Sequence, residues 1–130
     1  MNLYKDFDRW NEVKKETDIN HRPLFYHERE VWWCTFGINI GHEQNGKGNK
    51  YRRPALILKG LGKHTCIILP LTTSKHIHLF RFSAGTIAGK QAQITLSQIS
   101  TIDTKRLVRK MGYLRKDLFV DIRSAVRSMF

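Results

Sequence analysis

Three apolar segments crowd into the middle of the chain: "EVWWCTFGINI" at 30–40, "PALILKG" at 54–60 and "HTCIILPL" at 64–71. The first is rich in β-branched and aromatic residues, and each reads as a strand. Gly60 and Gly62, between the second and third, suit a tight hairpin. "HIHLFRFS" and "KQAQITL" add two more probable strands, the latter alternating polar and apolar residues. "SQISTIDTKRL" starts extended and passes into a short helical turn, with Asp103 placed to cap it. Short strands at such close spacing must curl into a small barrel or a strongly twisted sheet to bury their apolar faces.

Helical periodicity is confined to the ends. Leu3, Phe7, Trp10 and Val13 make one apolar stripe, which "DINHRP" and Pro23 bring to a stop. Leu118, Ile122, Ala125, Val126 and Met129 mark an amphipathic C-terminal helix. The fold class is therefore α+β, mainly β, with peripheral helices. The 130 residues suffice for one compact domain. No apolar run approaches the ~20 residues of a membrane helix, and the mixed "MNLYKDFDRW" start lacks the layout of a signal peptide, so a cytoplasmic protein is expected.

Charge narrows the partners. The net charge is +12, which favours a polyanion or an acidic protein. The excess concentrates in residues 104–130 and in the loop "INIGHEQNGKGNKYRR", which carries Lys47, Lys50, Arg52 and Arg53 and runs directly into Pro54. A solvated helix face accounts for a basic tail alone. A basic tail together with a basic, glycine-rich loop is better matched to nucleic acid or an acidic protein.

Familiar catalytic motifs are missing. The chain has no GxSxG, HExxH, Walker or GxGxxG pattern, and "GKGNK" has the wrong spacing for a phosphate loop. His76 and His78 share a strand face, but a metal needs a third ligand and the sequence shows none beside them. Cys34 and Cys66 stand alone inside apolar runs, as buried core thiols do. "LTTS" is more informative: Thr72, Thr73 and Ser74 put three hydroxyls at the mouth of an apolar strand. Side chains at strand ends are both held and exposed, which suits a site, although a hydrogen-bonding turn has the same composition.

Taken in order, "VWWCTFGINIGHEQ", "RRPALIL", "ILPLTT" and "LSQISTIDTKRLVRKMGYL" resemble the MazF/PemK family of toxin endoribonucleases. That family shows a tryptophan-bearing strand, a "GSEQ" loop, an "RP" strand, a strand ending in threonine and a "QirTid" segment. The resemblance covers residues 28–130, nearly four-fifths of the chain, and leaves 1–27 as an N-terminal helical extension. It implies a small SH3-like barrel, usually a two-fold homodimer, cleaving single-stranded RNA without a metal or other cofactor and bound by an acidic antitoxin. It also implies that Arg53 and Thr72 are the catalytic pair, with Glu43 beside them, and that Gln44 and Gln98 belong to the RNA site. Three departures stand out. "NGKGNKYR" lengthens the loop, Ser100 replaces a basic residue after "QI", and residues 1–27 exceed the minimal domain.

The residue chemistry is compatible with that assignment. RNA is cut when its 2′-OH attacks the adjacent phosphorus, and an enzyme must orient the hydroxyl, neutralise the phosphorane and protonate the leaving 5′-oxygen. Arg53 offers a planar fork to two phosphate oxygens. Thr72 can hydrogen-bond the 2′-OH or a non-bridging oxygen, and Glu43 can orient Arg53 or accept a proton. Lys47, Lys50 and Arg52 attract the strand, Tyr51 can stack on a base, and Thr73 adds a polar contact. Strand alternation places Thr73 on the face opposite Thr72. Two rivals remain open: a non-catalytic nucleic-acid-binding module of the same fold, and a CcdB-like poison of a protein target.

Overall fold

A computed structural model describes residues 25–36, 52–73 and 80–130. The N-terminal helix expected around Leu3–Val13, the loop residues Glu43, Gln44, Lys47, Lys50 and Tyr51, and His76 and His78 all lie outside the described residues.

The strands are β1 (Glu30–Thr35), β2 (Arg52–Gly60), β3 (Thr65–Thr72), β4 (Arg81–Ile87), β5 (Lys90–Thr95), β6 (Ser100–Asp103) and β7 (Leu107–Tyr113), followed by helix α1 (Lys116–Ser128). They form one antiparallel sheet ordered β4-β5-β3-β2-β1-β7, with β6 also paired to β3. Its two end strands, β4 and β7, come into contact, so the sheet curls into a half-barrel. This is the small, barrel-like, mainly β architecture that the strand spacing predicts.

β3 makes the curl possible. Its first half, Thr65–Ile68, pairs with β6, and its end, Leu71 and Thr72, pairs with β5 on that same edge. Pro70, which has no N–H to donate, falls in the gap between the two pairings. The strand can bend there without losing a ladder bond.

Alternation along β2 and β3 sends side chains to two apolar layers. Leu56, Leu58, Leu69 and Leu71 enter the main core with Val31, Ile94 and Leu114, and α1 closes that core with Phe119 and Ile122. The apolar stripe of α1 read from the sequence packs against this layer through Leu118, Ile122, Ala125, Val126 and Met129, and Phe119 adds a second fully committed position. Ala55, Ile57, Cys66 and Ile68 join Trp32, Cys34 and Leu107 in a smaller layer on the other face. Both cysteines are free and buried, as expected. Burial lifts the Cys66 thiol to about 11 and pushes Cys34 higher still.

Asp103 caps the turn as predicted, its carboxylate accepting from the Lys105 N–H at 2.8 Å. Two features differ from the sequence reading. β4 continues through Ala84–Ile87, beyond the segment "HIHLFRFS". And "LVRKMGY", left unassigned by pattern, is strand β7, paired along β1 with two irregularities in register. These bulges fit a strand at the curled end of a sheet.

Candidate active site

Arg52, Arg53 and Pro54 open β2, while Thr72 closes β3. The β2–β3 pairing runs from Gly60/Cys66 to Ala55/Pro70. Continued at the same offset, it carries Arg53 to the level of Thr72. The antiparallel sheet thus sets the arginine at the start of one strand beside the threonine at the end of the next. Proline at 54 fixes the backbone immediately after the arginine.

A cavity of about 320 Å³ opens at this end of the sheet. Arg52, Arg53, Thr72 and Thr73 line it, together with Lys90 from the β4–β5 hairpin and Arg109 from β7. Trp33, Leu71, Ile87 and Met111 supply apolar wall. Among the described residues no acidic side chain lines the cavity. Arg53 is only 8% exposed and Thr72 only 6%, so both are held in the wall, whereas Thr73, Lys90 and Arg109 are exposed at its rim.

The electrostatics are unusual for a buried guanidinium. The Nε atoms of Arg52 and Arg53 are both buried without a hydrogen-bond partner among the described residues. Burial, reinforced by the nearby charge of Arg81, holds the pKa of Arg53 below the ordinary guanidinium value. A buried donor left unmade costs about 1–3 kcal/mol, more when charged. Such a group is retained where a ligand completes it, and donors in this arrangement suit an oxyanion. Among the described residues, no group of three His, Cys, Asp or Glu side chains is placed to hold a metal ion.

The structure thus brings Arg52, Arg53, Thr72 and Thr73 together. It places Gln98 elsewhere: half-buried in the short helical turn Leu96–Gln98 and not part of the cavity wall. Thr73, just beyond the end of β3, also borders the cavity, at its exposed rim. Lys90, Arg109 and Trp33 were not singled out as site residues. Arg109 belonged to the basic tail, but only its place on β7 brings it to the cavity. The rest of that tail divides by role. Arg106 donates to the Thr35 carbonyl at 3.0 Å, Lys110 reaches Glu30 at 3.4 Å, and Arg115 pairs with Asp117 at 2.7 Å.

Comparison with known proteins bears on what such a cavity is for. The sequence model of the PemK-like, MazF-like toxins of type II toxin–antitoxin systems matches residues 27–130. The chain belongs to that family. Among solved structures it is similar to MazF of Deinococcus radiodurans, with 19% identity and a TM-score of 0.68 over 82% of this chain and 96% of that one. It is also similar to the Mycobacterium tuberculosis toxin MazF-mt6, with 17% identity and a TM-score of 0.59 over 77% of this chain and 94% of that one. A third is a mycobacterial endoribonuclease solved in complex with its cognate antitoxin, at 15% identity and a TM-score of 0.59, covering 80% and 93% of the two chains. At these identities the structural likeness establishes the shared fold. No match was found among curated proteins. No helix among the described residues is long and apolar enough to cross a membrane.

Proposed function

We propose that this MazF/PemK family member is the toxin of a type II toxin–antitoxin pair and acts as a metal-independent endoribonuclease on single-stranded RNA. The observation that carries this reading is the buried Arg53 guanidinium, its Nε without a partner among the described residues, in one cavity wall with Thr72. In the proposed reaction the substrate's 2′-oxygen loses its proton and bonds to phosphorus, while the bond from phosphorus to the 5′-oxygen breaks and that oxygen takes up a proton. The products are a 2′,3′-cyclic phosphate and a 5′-OH. Arg53 neutralises the charge that grows on the non-bridging oxygens, in a site where low dielectric strengthens that contact. Thr72 orients the 2′-OH or a non-bridging oxygen. Glu43, in the adjoining loop of the sequence, is the carboxylate available to orient Arg53 or accept the proton.

The same reading assigns a homodimer in the cytoplasm and an acidic antitoxin that competes with RNA for the basic surface, with Gln44, Lys47, Lys50, Tyr51 and Gln98 as further RNA contacts. The antitoxin-bound mycobacterial relative supports the choice of partner. The test is to incubate purified protein with total RNA in excess EDTA and map the new ends. Discrete cuts bearing a cyclic phosphate and a 5′-OH are expected. RNA bound but never cut points to the non-catalytic module, and neither binding nor cutting points to a poison of a protein target.

A further inference from the structure

Strand β5 reads "KQAQIT", and alternation divides it into two faces. Ala92 and Ile94 enter the main core, so Gln91 and Gln93 lie on the opposite face. The two glutamines differ in their surroundings. Gln91 is exposed, whereas Gln93 is half-buried, and its Oε1 is buried without a hydrogen-bond partner among the described residues. A β-branched side chain would fit the same pleat without burying an unmade acceptor.

The register fixes what stands beside Gln93. It is the direct cross-strand partner of Thr72 on β3 and of Ser83 on β4. Arg53 lies level with Thr72 on β2, so one row across four strands reads Arg53, Thr72, Gln93 and Ser83. Along their strands Arg53 alternates in step with Ala55 and Ile57, and Thr72 in step with Ile68, all of the smaller layer. The row therefore shares the face turned away from the main core. Arg81, opposite Thr95 on β4, lies two residues from Ser83 on that face. It has contacts of its own, yet its charge is felt by Arg53. β4 is three strands from β2 in the sheet order. The Arg53 guanidinium thus leans across β3, over Thr72 and toward Gln93.

The two unmade atoms are complementary. The Arg53 Nε–H is a donor and the Gln93 Oε1 an acceptor. Their backbones are two strand spacings apart, about 10 Å, a gap that an arginine and a glutamine leaning toward each other can close. We infer that Gln93 is a positioning residue for Arg53: in the complex with RNA its Oε1 accepts from the Arg53 Nε–H, and the terminal nitrogens of the guanidinium are left as the fork that meets the scissile phosphate. The inference rests on the nuclease reading and deepens it. Gln93 touches neither the reacting atoms nor the leaving group. With Arg53 oriented from β5, the Glu43 carboxylate is left for the proton.

The experiment is a double-mutant cycle on single-turnover RNA cleavage, with RNA affinity measured beside it, for wild type, Gln93→Met, Arg53→Lys and the double variant. Methionine keeps the length of glutamine and removes the acceptor, while lysine keeps the charge of arginine and removes Nε. In the wild-type background Gln93→Met should slow cleavage about 10- to 100-fold, the usual loss of a hydrogen bond to a charged group, and leave affinity almost unchanged. In the Arg53→Lys background the same change should cost little further. Gln93→Glu keeps an acceptor at the same reach and should recover most of the rate, and Gln91→Met should have no effect. If Gln93→Met does not fold, Gln93→Asn, one methylene short of the bridge, takes its place in the cycle. Equal losses in both Arg53 backgrounds overturn the inference, as do wild-type cleavage by Gln93→Met and a Gln93→Glu rate no better than that of Gln93→Met. A changed pattern of cut sites at an unchanged rate also overturns it, by making Gln93 a reader of RNA bases. Failure of the nuclease reading looks different: folded wild type cuts no RNA, and the inference falls with it.

Discussion

Among the described residues two charged groups are buried, and their surroundings are opposite. Glu30, at the start of β1, is 6% exposed and well served. Its Oε1 accepts from the His27 N–H at 2.7 Å and from the Trp32 indole at 3.1 Å, while Lys110 approaches Oε2 at 3.4 Å. Burial opposes ionisation there, but these donors outweigh it and hold the carboxyl below its usual pKa. Arg53, at the start of β2, is as deeply buried, but its Nε has no partner among the described residues and another cation lies nearby. Glu30 is a finished structural joint tying β1 to β7. Arg53 is left open among the described residues, and under the proposed function the RNA phosphate completes it. The lesson is that burial of a charge is ambiguous until its partners are counted: satisfaction signals architecture, and its lack signals function.

The contrast can be broken from either side. The largest expected effect is on cleavage. Thr72→Ala should slow single-turnover cutting by about 10²–10³, the usual loss on removing one oxyanion-directed donor, and Thr72→Ser should recover part of it by restoring the hydroxyl. Thr73→Ala, at the exposed rim of the same cavity, should slow it far less. Equal losses for the two threonines would remove the reason for separating wall from rim.

Next in size is the Glu30 joint. Glu30→Ala leaves the Trp32 and His27 donors unanswered and should cost about 1–3 kcal/mol of unfolding free energy, read by urea denaturation, with the intrinsic cleavage rate of folded protein unchanged. The joint also has a pH signature. A carboxyl whose folded pKa is depressed adds stability that is present above its unfolded pKa, about 4.3, and lost as the pH falls through the lower folded value. Stability should thus drop in mild acid below about pH 4, and Glu30→Gln should flatten that part of the curve. An unaltered acid limb would mean that Glu30 is not the group responsible.

The smallest expected effect separates strain from chemistry at the rim. Ala88→Gly relieves a left-handed alanine but frees the unfolded chain, so the net change should be a gain of no more than about 1 kcal/mol. A clear loss of melting temperature would show that the Ala88 methyl packs productively in the cavity wall.

How much of this was legible beforehand follows the same physics. β1, β2, β3 and β5 could be read because their apolar residues sit in the core and carry its pattern, and the C-terminal helix because its stripe faces that core. β7 could not. It lies at the end of the curled sheet, pairs through bulges and spends Arg109 and Lys110 on solvent, the cavity and Glu30, so "LVRKMGY" has no clean alternation. Arg53 and Thr72 could be named because each is adjacent to a punctuating feature, Pro54 or the end of an apolar run. Lys90 and Arg109 reach the site only through the curl, which brings distant strands together and leaves no local mark.

The central claim is that Arg53 serves catalysis and not stability. Its most direct test is Arg53→Ala, with single-turnover RNA cleavage, RNA affinity and urea unfolding measured on the same preparation. The account predicts cleavage slower by about 10²–10³, affinity reduced far less because the remaining cations still hold phosphate, and unfolding free energy within about 1 kcal/mol of wild type or higher. Arg53→Lys should restore only part of the rate, since a point charge lacks the planar fork. Near-wild-type cleavage by folded Arg53→Ala, or a loss of stability as large as that of Glu30→Ala with cleavage intact, would contradict it.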